Sequence, residues 1–176
     1  MKPDNAAIYE RARRLANLAM WSVKLQLRRL QSVEPEDEDF ILRPWTDFHF
    51  LIMALTRIRR AAELAAKVPP IKPRIREAIR QFDVALPNRK KMRDVAEHID
   101  EYALDRGWDK NVSRKSLEVA SCSGETWKWL GYEMDSKEAL RASERLYEAI
   151  RQGRALLPPQ ATSSRTPRSM PPQRRS

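Results

Sequence analysis

Prolines divide a chain of strong helical character into segments of limited length. Apolar side chains recur every three to four residues along several stretches, which is the spacing of one face of an α-helix. Only four glycines occur in 176 residues, and the abundance of Ala, Arg, Leu and Glu favours helix. The prolines within residues 68–73 and Pro87 stand at boundaries, because proline cannot continue a helix but can begin one. The sequence therefore predicts several separate helices.

The expected helices share an apolar stripe and a recognisable start or stop signal. They cover roughly residues 2–32, 46–67, 74–86, 87–107 and 136–152. In the first helix, Asp4 is the expected N-cap, and Leu15, Leu18 and Leu25 follow the apolar stripe. The second helix is apolar nearly all round in its first half, which predicts the central helix of the core. Ser136 is the expected cap of the last helix.

The spacing of apolar residues changes from the helical period to the alternation of a strand near residues 116–132, where two short strands are expected. Ser123 and Gly124 suit the turn of a β-hairpin, and Trp127 and Trp129 alternate on one face of the second strand. That face is expected to pack on the helices, although Trp127, Trp129 and Tyr132 also offer a surface on which bases can stack. The predicted fold class is mainly α: a helical bundle with a short β-hairpin before its last helix.

Residues 1–155 are expected to form a single helical domain, and residues 156–176 a disordered tail rich in Pro, Ser and Arg. The net charge is +10, and part of it lies on arginines of the tail. These are Arg165, Arg168, Arg174 and Arg175. A basic excess favours contact with phosphates or other acidic surfaces, but it does not identify the partner.

Other classes of protein are disfavoured by what the sequence lacks. A single cysteine, Cys122, allows no internal disulfide and no cysteine-based zinc site. No apolar run reaches the roughly 20 residues that span a bilayer, and the first residues contain no signal core. P-loop, GxGxxG and GxSxG motifs are also absent. The expectation is a cytoplasmic protein without membrane contact, metal or cofactor.

The segment MRDVAEHIDEY, residues 92–102, carries the most suggestive group of polar side chains. At about 100° per residue, Arg93 and His98 flank the apolar arc of the helix on opposite sides, about 140° apart. Asp94 is placed to hydrogen-bond His98, and Glu97 to pair with Arg93, each one helical turn away. Arg93 and His98 can line one cleft only if a second surface, such as another copy of the helix, closes over them.

The motif Arg93-Asp94-x-x-x-His98 resembles the R-x4–6-H signature of the HEPN superfamily, the higher eukaryote and prokaryote nucleotide-binding domains. The wider string R-D-x-x-E-H-x-D-E-Y is similar to a group of bacterial helical proteins close to that superfamily, and the resemblance spans roughly residues 45–107. It implies a helical bundle that forms a homodimer, in which the two motifs meet at the interface. In active members it implies a metal-independent endoribonuclease, often a toxin or an anti-phage effector.

The residue types suit such chemistry. A neutral imidazole, here His98, can take the proton of the ribose 2′-hydroxyl near neutral pH. A guanidinium, here Arg93, stabilises the negative charge that develops on the phosphorane, and Asp94 would orient the imidazole. Three preceding cations are candidates for binding flanking RNA phosphates: Arg89, Lys90 and Lys91. The expected partners are RNA, a second copy of the chain, and an antitoxin or regulatory protein.

Three other interpretations remain open. Arg93 and His98 can belong to an ordinary solvated helix surface with i, i+4 ion pairs. The chain can be a non-catalytic HEPN-like module that binds nucleic acid or a partner protein, or a bundle unrelated to that superfamily. The motif is short enough to recur by chance, because Arg43 and His49 also match its spacing. His49 is flanked by Phe48 and Phe50, so we expect it in the core or at its boundary.

Overall fold

The computed structural model describes residues 4–33, 42–117, 120–123 and 125–157. Within these ranges the chain forms helices and one small sheet in the order α1, α2, α3, α4, α5, α6, β1, β2, β3 and α7. The helices are α1 Asn5–Gln31, α2 Arg43–Ala65, α3 Lys72–Ala85, α4 Arg89–Glu97, α5 Ile99–Ala103, α6 Arg114–Leu117 and α7 Ser136–Gln152. The strands are β1 Ala120–Ser123, β2 Thr126–Trp129 and β3 Tyr132–Asp135. The prediction of a mainly helical fold with a hairpin before the last helix is confirmed.

Helix α1 begins as the sequence predicts but buries a different face. Asp4 Oδ1 accepts a hydrogen bond from the Ala7 amide at 2.6 Å, which caps the first turn. The buried side has three alanines at its centre and lies against α2 and α7. Its residues are Tyr9, Ala12, Ala16, Ala19, Met20, Val23 and Leu27. Leu15, Leu18 and Leu25 are exposed instead. Alanines occupy the buried face because their small side chains let the backbones of α1 and α2 approach closely. The leucines lie beside this contact and stay exposed.

Helix α2 occupies the centre of the molecule, as expected. Its buried apolar side chains include Phe48, Leu51, Ile52, Leu55 and Ile58. Phe50 on the same helix is more than half exposed, so the helix is not buried all round. α7 packs on α1, α2 and α3, and Tyr9 Oη donates to the carbonyl of Ile150 at 3.1 Å. This arrangement leaves one end of α2 to be covered by the sheet and the other by α3 and α4.

The predicted helix over residues 87–107 is wrong in its length, because it breaks at His98. His98 has φ −123° and ψ 34° and separates α4 from the short α5. Tyr102 in α5 is buried, as predicted. A β-carbon at Gly107 would collide with the Tyr102 ring, so the chain can fold back over this tyrosine only with glycine at that position. The break gives His98 an exposed position at the end of α4.

The sheet has three antiparallel strands in the order β1-β2-β3. The first pairing, Cys122 with Trp127, is the predicted hairpin, although Gly124 of its expected turn lies outside the described residues. The third strand was not expected. Leu130 and Gly131 join β2 to β3 with φ of 56° and 77°, as in a type I′ turn, and leucine is an unusual residue for a positive φ.

The tryptophan face of β2 packs on α2, as predicted. Phe48 and Trp127 stack at 5.2 Å between ring centroids, and Trp129 meets Trp45 edge-on at 5.0 Å. The expected cap of α7 is corrected: Asp135 Oδ1 accepts from the Glu138 amide at 2.7 Å, whereas the Ser136 hydroxyl donates to the Glu125 carbonyl. Of the predicted tail over residues 156–176, Leu156 ends a short 3-10 helix, Gly153–Leu156, and residues 158–176 lie outside the described residues. None of the described helices combines the length and the apolar character needed to cross a membrane.

Candidate functional site

A basic cleft of about 520 Å³ lies between α2, the end of α3 and the start of α4. Five cationic side chains and two carboxylates line it, together with uncharged neighbours. The cations are Arg59, Arg60, Arg89, Lys90 and Arg93, and the carboxylates are Glu63 and Asp83. Thr56, Leu86 and Pro87 complete the lining. The excess of positive charge inside a concavity favours an anionic ligand, because low-dielectric walls concentrate the field.

Arg59 and Asp83 form the wall of this basic cleft. Arg59 Nε donates to Asp83 Oδ1 at 2.6 Å and Nη2 donates to Oδ2 at 2.7 Å, a two-point contact that holds α2 to α3. Arg59 also pairs with Glu63 on the next turn of α2. These hydrogen bonds raise the pKa of the Arg59 guanidinium, and the hydrogen bond to Asp83 has the largest effect. Arg59 is therefore firmly held, and both carboxylates of the cleft are already engaged.

Arg89 is the buried cation at the base of the cleft. Its side chain is 6% exposed; Nη1 donates to Thr56 Oγ1 at 3.0 Å, while Nη2 lies 3.7 Å from Asp83. The guanidinium carbon is 5.6 Å from the centre of the Phe82 ring. Burial, followed by repulsion from Arg59, lowers the pKa of Arg89 to about 10. Its buried Nε has no hydrogen-bond partner in the described structure, so this cation lacks full compensation and would gain from an anion.

Arg93 lines the same cleft one turn further along α4. Nη1 donates to Glu97 Oε2 at 2.9 Å, the pair predicted from the sequence. Arg93 also pairs with Asp94. Its Nε is buried and has no partner among the described residues. The guanidinium is thus oriented by two carboxylates from its own helix while it faces a cleft rich in positive charge.

His98 lies outside the basic cleft, on the turn that ends α4. Its side chain is 52% exposed, and Nδ1 is 3.4 Å from Glu101 Oε1. The expected hydrogen bond between Asp94 and His98 is not formed within the described structure, because the helix ends at His98 and Asp94 turns to Arg93. The acid beside the imidazole is Glu101 instead. Within one chain, Arg93 and His98 do not face a common pocket.

The three predicted phosphate-binding residues separate into two groups. Arg89 and Lys90 line the basic cleft, and Lys90 is exposed there. Lys91 points to another side of α4, where Nζ lies 2.7 Å from Asp109 Oδ2 and 2.7 Å from Tyr132 Oη. The hydrogen bond to Asp109 and then that to Tyr132 raise the pKa of Lys91. Lys91 therefore ties α4 to the loop before α6 and to β3.

Three exposed apolar residues follow the His98 end of α4 in the chain. Ile99, Leu104 and Trp108 are all exposed, and Trp108 is 65% exposed. They follow His98 within ten positions of the sequence, on α5 and the turn after it. Exposed apolar groups that recur in one region are typical of a surface that another molecule covers.

Sequence reasoning missed five polar or charged residues of the cleft: Thr56, Arg59, Arg60, Glu63 and Asp83. The signal available was the run Arg57-Ile58-Arg59-Arg60, which places three cations in the second half of an otherwise buried helix. Charges at such a position need partners or a ligand. Asp83 had no comparable signal, because its distance in sequence from Arg59 hides the contact.

The basic cleft can bind phosphate groups, whereas His98 presents its imidazole outside the cleft, on the surface at the end of α4. Among the described residues no group of three or more potential metal ligands occurs. Comparisons of the chain with protein-family models, with curated proteins and with solved structures found no match.

Proposed function

We propose that this chain is a metal-independent endoribonuclease of the HEPN type that acts as a homodimer, with Arg93 and His98 in its catalytic centre. The observation that carries the proposal is the placement of the motif on α4. Arg93 lies in a cleft with excess positive charge, and His98 lies half exposed at the end of the same helix, beside uncovered apolar side chains.

The basic cleft supplies the affinity for RNA in this proposal. Arg60 and Lys90 are exposed at its edge, and Arg89 lies at its base with an unpartnered Nε. Phosphates would replace the missing partners of these cations and release bound counterions, which is the main source of affinity in such interfaces. Lys91 is not part of this surface, because Asp109 and Tyr132 hold it elsewhere.

A second copy completes the catalytic centre in this proposal. Arg93 and His98 of one chain face different directions, so a shared site needs an opposing surface. Ile99, Leu104 and Trp108 are available beside His98 to form the contact, and a two-fold axis there would bring the two α4 ends together. Arg93 of one copy would then approach His98 of the other.

The chemistry uses only groups of the chain and the RNA. Neutral His98 accepts the proton of the 2′-hydroxyl, whose oxygen attacks the adjacent phosphorus. Arg93 stabilises the additional negative charge of the phosphorane. The bond to the 5′-oxygen breaks, and this oxygen takes back the proton from the imidazolium. The products are a 2′,3′-cyclic phosphate and a 5′-hydroxyl. Asp94 positions Arg93, and Glu101 orients the imidazole.

The second candidate function is a non-catalytic module that binds nucleic acid. It is favoured by the ion pairs that Arg93 already forms with the carboxylates of Asp94 and Glu97. A cation neutralised in this way stabilises less of the negative charge that develops in a reaction. In this alternative the cleft binds phosphates and His98 has no chemical role. An antitoxin or another regulatory protein remains a proposed partner in both cases.

The test is cleavage of a structured RNA in EDTA, with analysis of the product ends. Wild-type protein should produce 2′,3′-cyclic phosphate, and Arg93→Ala and His98→Ala should each lose about 100-fold or more in rate. Salt-sensitive RNA binding without cleavage would establish the binding module instead. Full activity of His98→Ala would overturn the proposed mechanism.

The dimer is tested separately by the mass in solution at micromolar concentration. Wild type should have the mass of two chains, and Trp108→Ser should weaken the dimer by about 30-fold, as for a central aromatic anchor. Leu156→Ser is the matched control, because Leu156 is an exposed apolar residue outside the segment 98–108. A wild-type protein with the mass of one chain would contradict the proposed catalytic centre.

A further inference from the structure

An open apolar groove of about 370 Å³ lies between α1 and α2 and shares Arg60 with the basic cleft. Leu15, Leu18 and Ala19 form its α1 side. Arg57, Arg60, Ala61 and Leu64 form its α2 side. The helices are antiparallel here, since Arg29 near the end of α1 contacts Asp47 near the start of α2 at 2.8 Å. The groove therefore runs along the opposite end of this helix pair.

The leucines of the groove are exposed in the single chain. Leu18 is 64% exposed and Leu15 is 44% exposed. They are two of the residues that the helical period places on an apolar stripe of α1 but that α2 does not cover. Their burial by a partner would stabilise a complex, because removing apolar surface from water is favourable by about 25 cal/mol per Å².

The surroundings of the groove are strongly basic. Arg57 and Arg60 line it, and Arg14 and Arg11 lie one turn before Leu18 and Leu15 on α1. All four are exposed, and none forms an ion pair in the part of the chain that the structure describes. The groove is thus an apolar surface framed by four free cations.

We propose that this α1–α2 groove binds an amphipathic helix of a partner protein, whose apolar face enters the groove and whose flanking carboxylates meet the arginines. Helices dock in such grooves through apolar side chains spaced at i, i+3, i+4 and i+7. Charge complementarity selects an acidic partner: carboxylates would pair with Arg57 and Arg60 on one side and Arg11 and Arg14 on the other.

Other occupants fit less well. A second copy in a two-fold arrangement would place the same four arginines opposite one another, which is unfavourable. A membrane surface takes up apolar groups that protrude, whereas these leucines line a concave groove. Nucleic acid would leave the leucines without an apolar partner. The shape and charge together favour a protein helix.

The proposal is independent of ribonuclease activity, but the two sites share one residue. Arg60 lines both the groove and the basic cleft. Arg57 lines the groove and not the basic cleft, so it is the charge to change in a test. Leu18 is the matching apolar position.

The experiment measures binding of a fluorescent designed peptide by polarisation, with the full chain. The probe is a helix of about 18 residues with Leu at i, i+3, i+4 and i+7 and Glu on both flanks. Two control peptides carry Lys in place of Glu, or the same composition in scrambled order. Saturable binding of the acidic amphipathic peptide alone is expected. Leu18→Ser and Arg57→Glu should each weaken it about tenfold or more.

Two control variants and two further measurements make the test decisive. Leu156→Ser and Arg141→Glu change exposed residues away from the groove and should bind the peptide like wild type. Equal binding of all three peptides, or full binding by Leu18→Ser, would overturn the proposal. It would also be overturned if Leu18→Ser altered the mass in solution, which would indicate a self-interface. Binding to vesicles of anionic phospholipid that is lost in Leu18→Ser would show a membrane surface instead.

Discussion

Two pairs of arginine and histidine have almost the same spacing in this chain and very different surroundings. Arg43 and His49 lie in the first turns of α2. Arg43 bonds Asp47 at 3.1 Å and the carbonyl oxygen of Arg29 at 2.9 Å, and the His49 ring is 4.1 Å from Trp45 and 5.0 Å from Trp129 between ring centroids. This pair is built into the core boundary, as the flanking phenylalanines predicted.

The pair Arg93 and His98 lies on the surface. Arg93 lines an open basic cleft, and His98 is half exposed with an acid beside it. A short motif therefore does not distinguish a packed histidine from an exposed one, because the residues that surround it in space determine its burial. Trp45 and Trp129 pack on His49 and partly bury it, whereas the helix break leaves His98 exposed to solvent.

The largest expected difference is between alanine variants of the two histidines. His98→Ala should lose ribonuclease activity but cost about 0.5 kcal/mol or less in stability, since the His98 side chain is half exposed and buries little surface. His49→Ala should cost about 2 kcal/mol, because the ring fills space between two tryptophans, and should keep its activity per folded molecule. Urea denaturation and RNA cleavage assays on both variants check this. If His49→Ala lost activity and His98→Ala lost stability instead, Arg43 and His49 would be the functional pair and Arg93 and His98 the structural one.

Replacing the buried Arg89 and the partly buried Arg43 by methionine extends the comparison. Arg89→Met should weaken RNA binding about tenfold, yet leave stability unchanged or raise it by about 1–2 kcal/mol, because burial of this cation is poorly compensated. Arg43→Met should instead lower stability by about 2 kcal/mol, since it removes a partner of the buried Asp47. Thermal melts and RNA titrations measure both effects. A large loss of stability in Arg89→Met would mean that Arg89 is structural.

Acidification should act on the folded state through His49. Burial lowers the pKa of His49, so the unfolded chain binds more protons than the folded chain as the pH falls below about 6.5. The stability from neutral His49 is present above that pH and is lost as the pH falls towards the lowered pKa. The melting midpoint should decline there in wild type and less in His49→Gln. Equal declines would assign the effect to other groups.

The smallest expected effect distinguishes two adjacent lysines. Lys90→Ala should reduce the slope of log affinity for RNA against log salt by about 0.7–1, as for the loss of one phosphate contact. Lys91→Ala should leave this slope unchanged and cost about 0.5 kcal/mol in stability, because its partners are Asp109 and Tyr132. Titrations at several salt concentrations suffice. Equal slopes for both variants would remove Lys90 from the interface.

Much of the fold could be predicted from local signals. Asp4, the prolines and the apolar periods located the main helices, because caps and proline act over one or two turns. The alternation of Trp127 and Trp129 predicted the packed face of the hairpin. The third strand escaped because Leu130 takes a positive φ where asparagine or glycine would signal the turn.

The candidate site was less accessible to sequence reasoning. Arg89, Lys90 and Arg93 were selected and line one cleft, but Asp83 and Arg59, which form its wall, are 24 positions apart. Lys91 had the same local features as Lys90 and belongs to another contact. Which partner a side chain contacts depends on the elements packed around its helix. Neither the composition nor the spacing of apolar residues in the sequence predicts those neighbours.

The sequence by itself determined where helices start and stop, which segment forms the hairpin and that the chain carries a basic excess. Only the tertiary structure decided which side of α1 is buried, that the helix breaks at His98 and which arginines share a cleft. The physical reason is that caps, turns and periods are local, whereas burial depends on the element that packs opposite. Small alanines on α1 allow α2 to approach closely, and Leu15 and Leu18 remain exposed beside this contact.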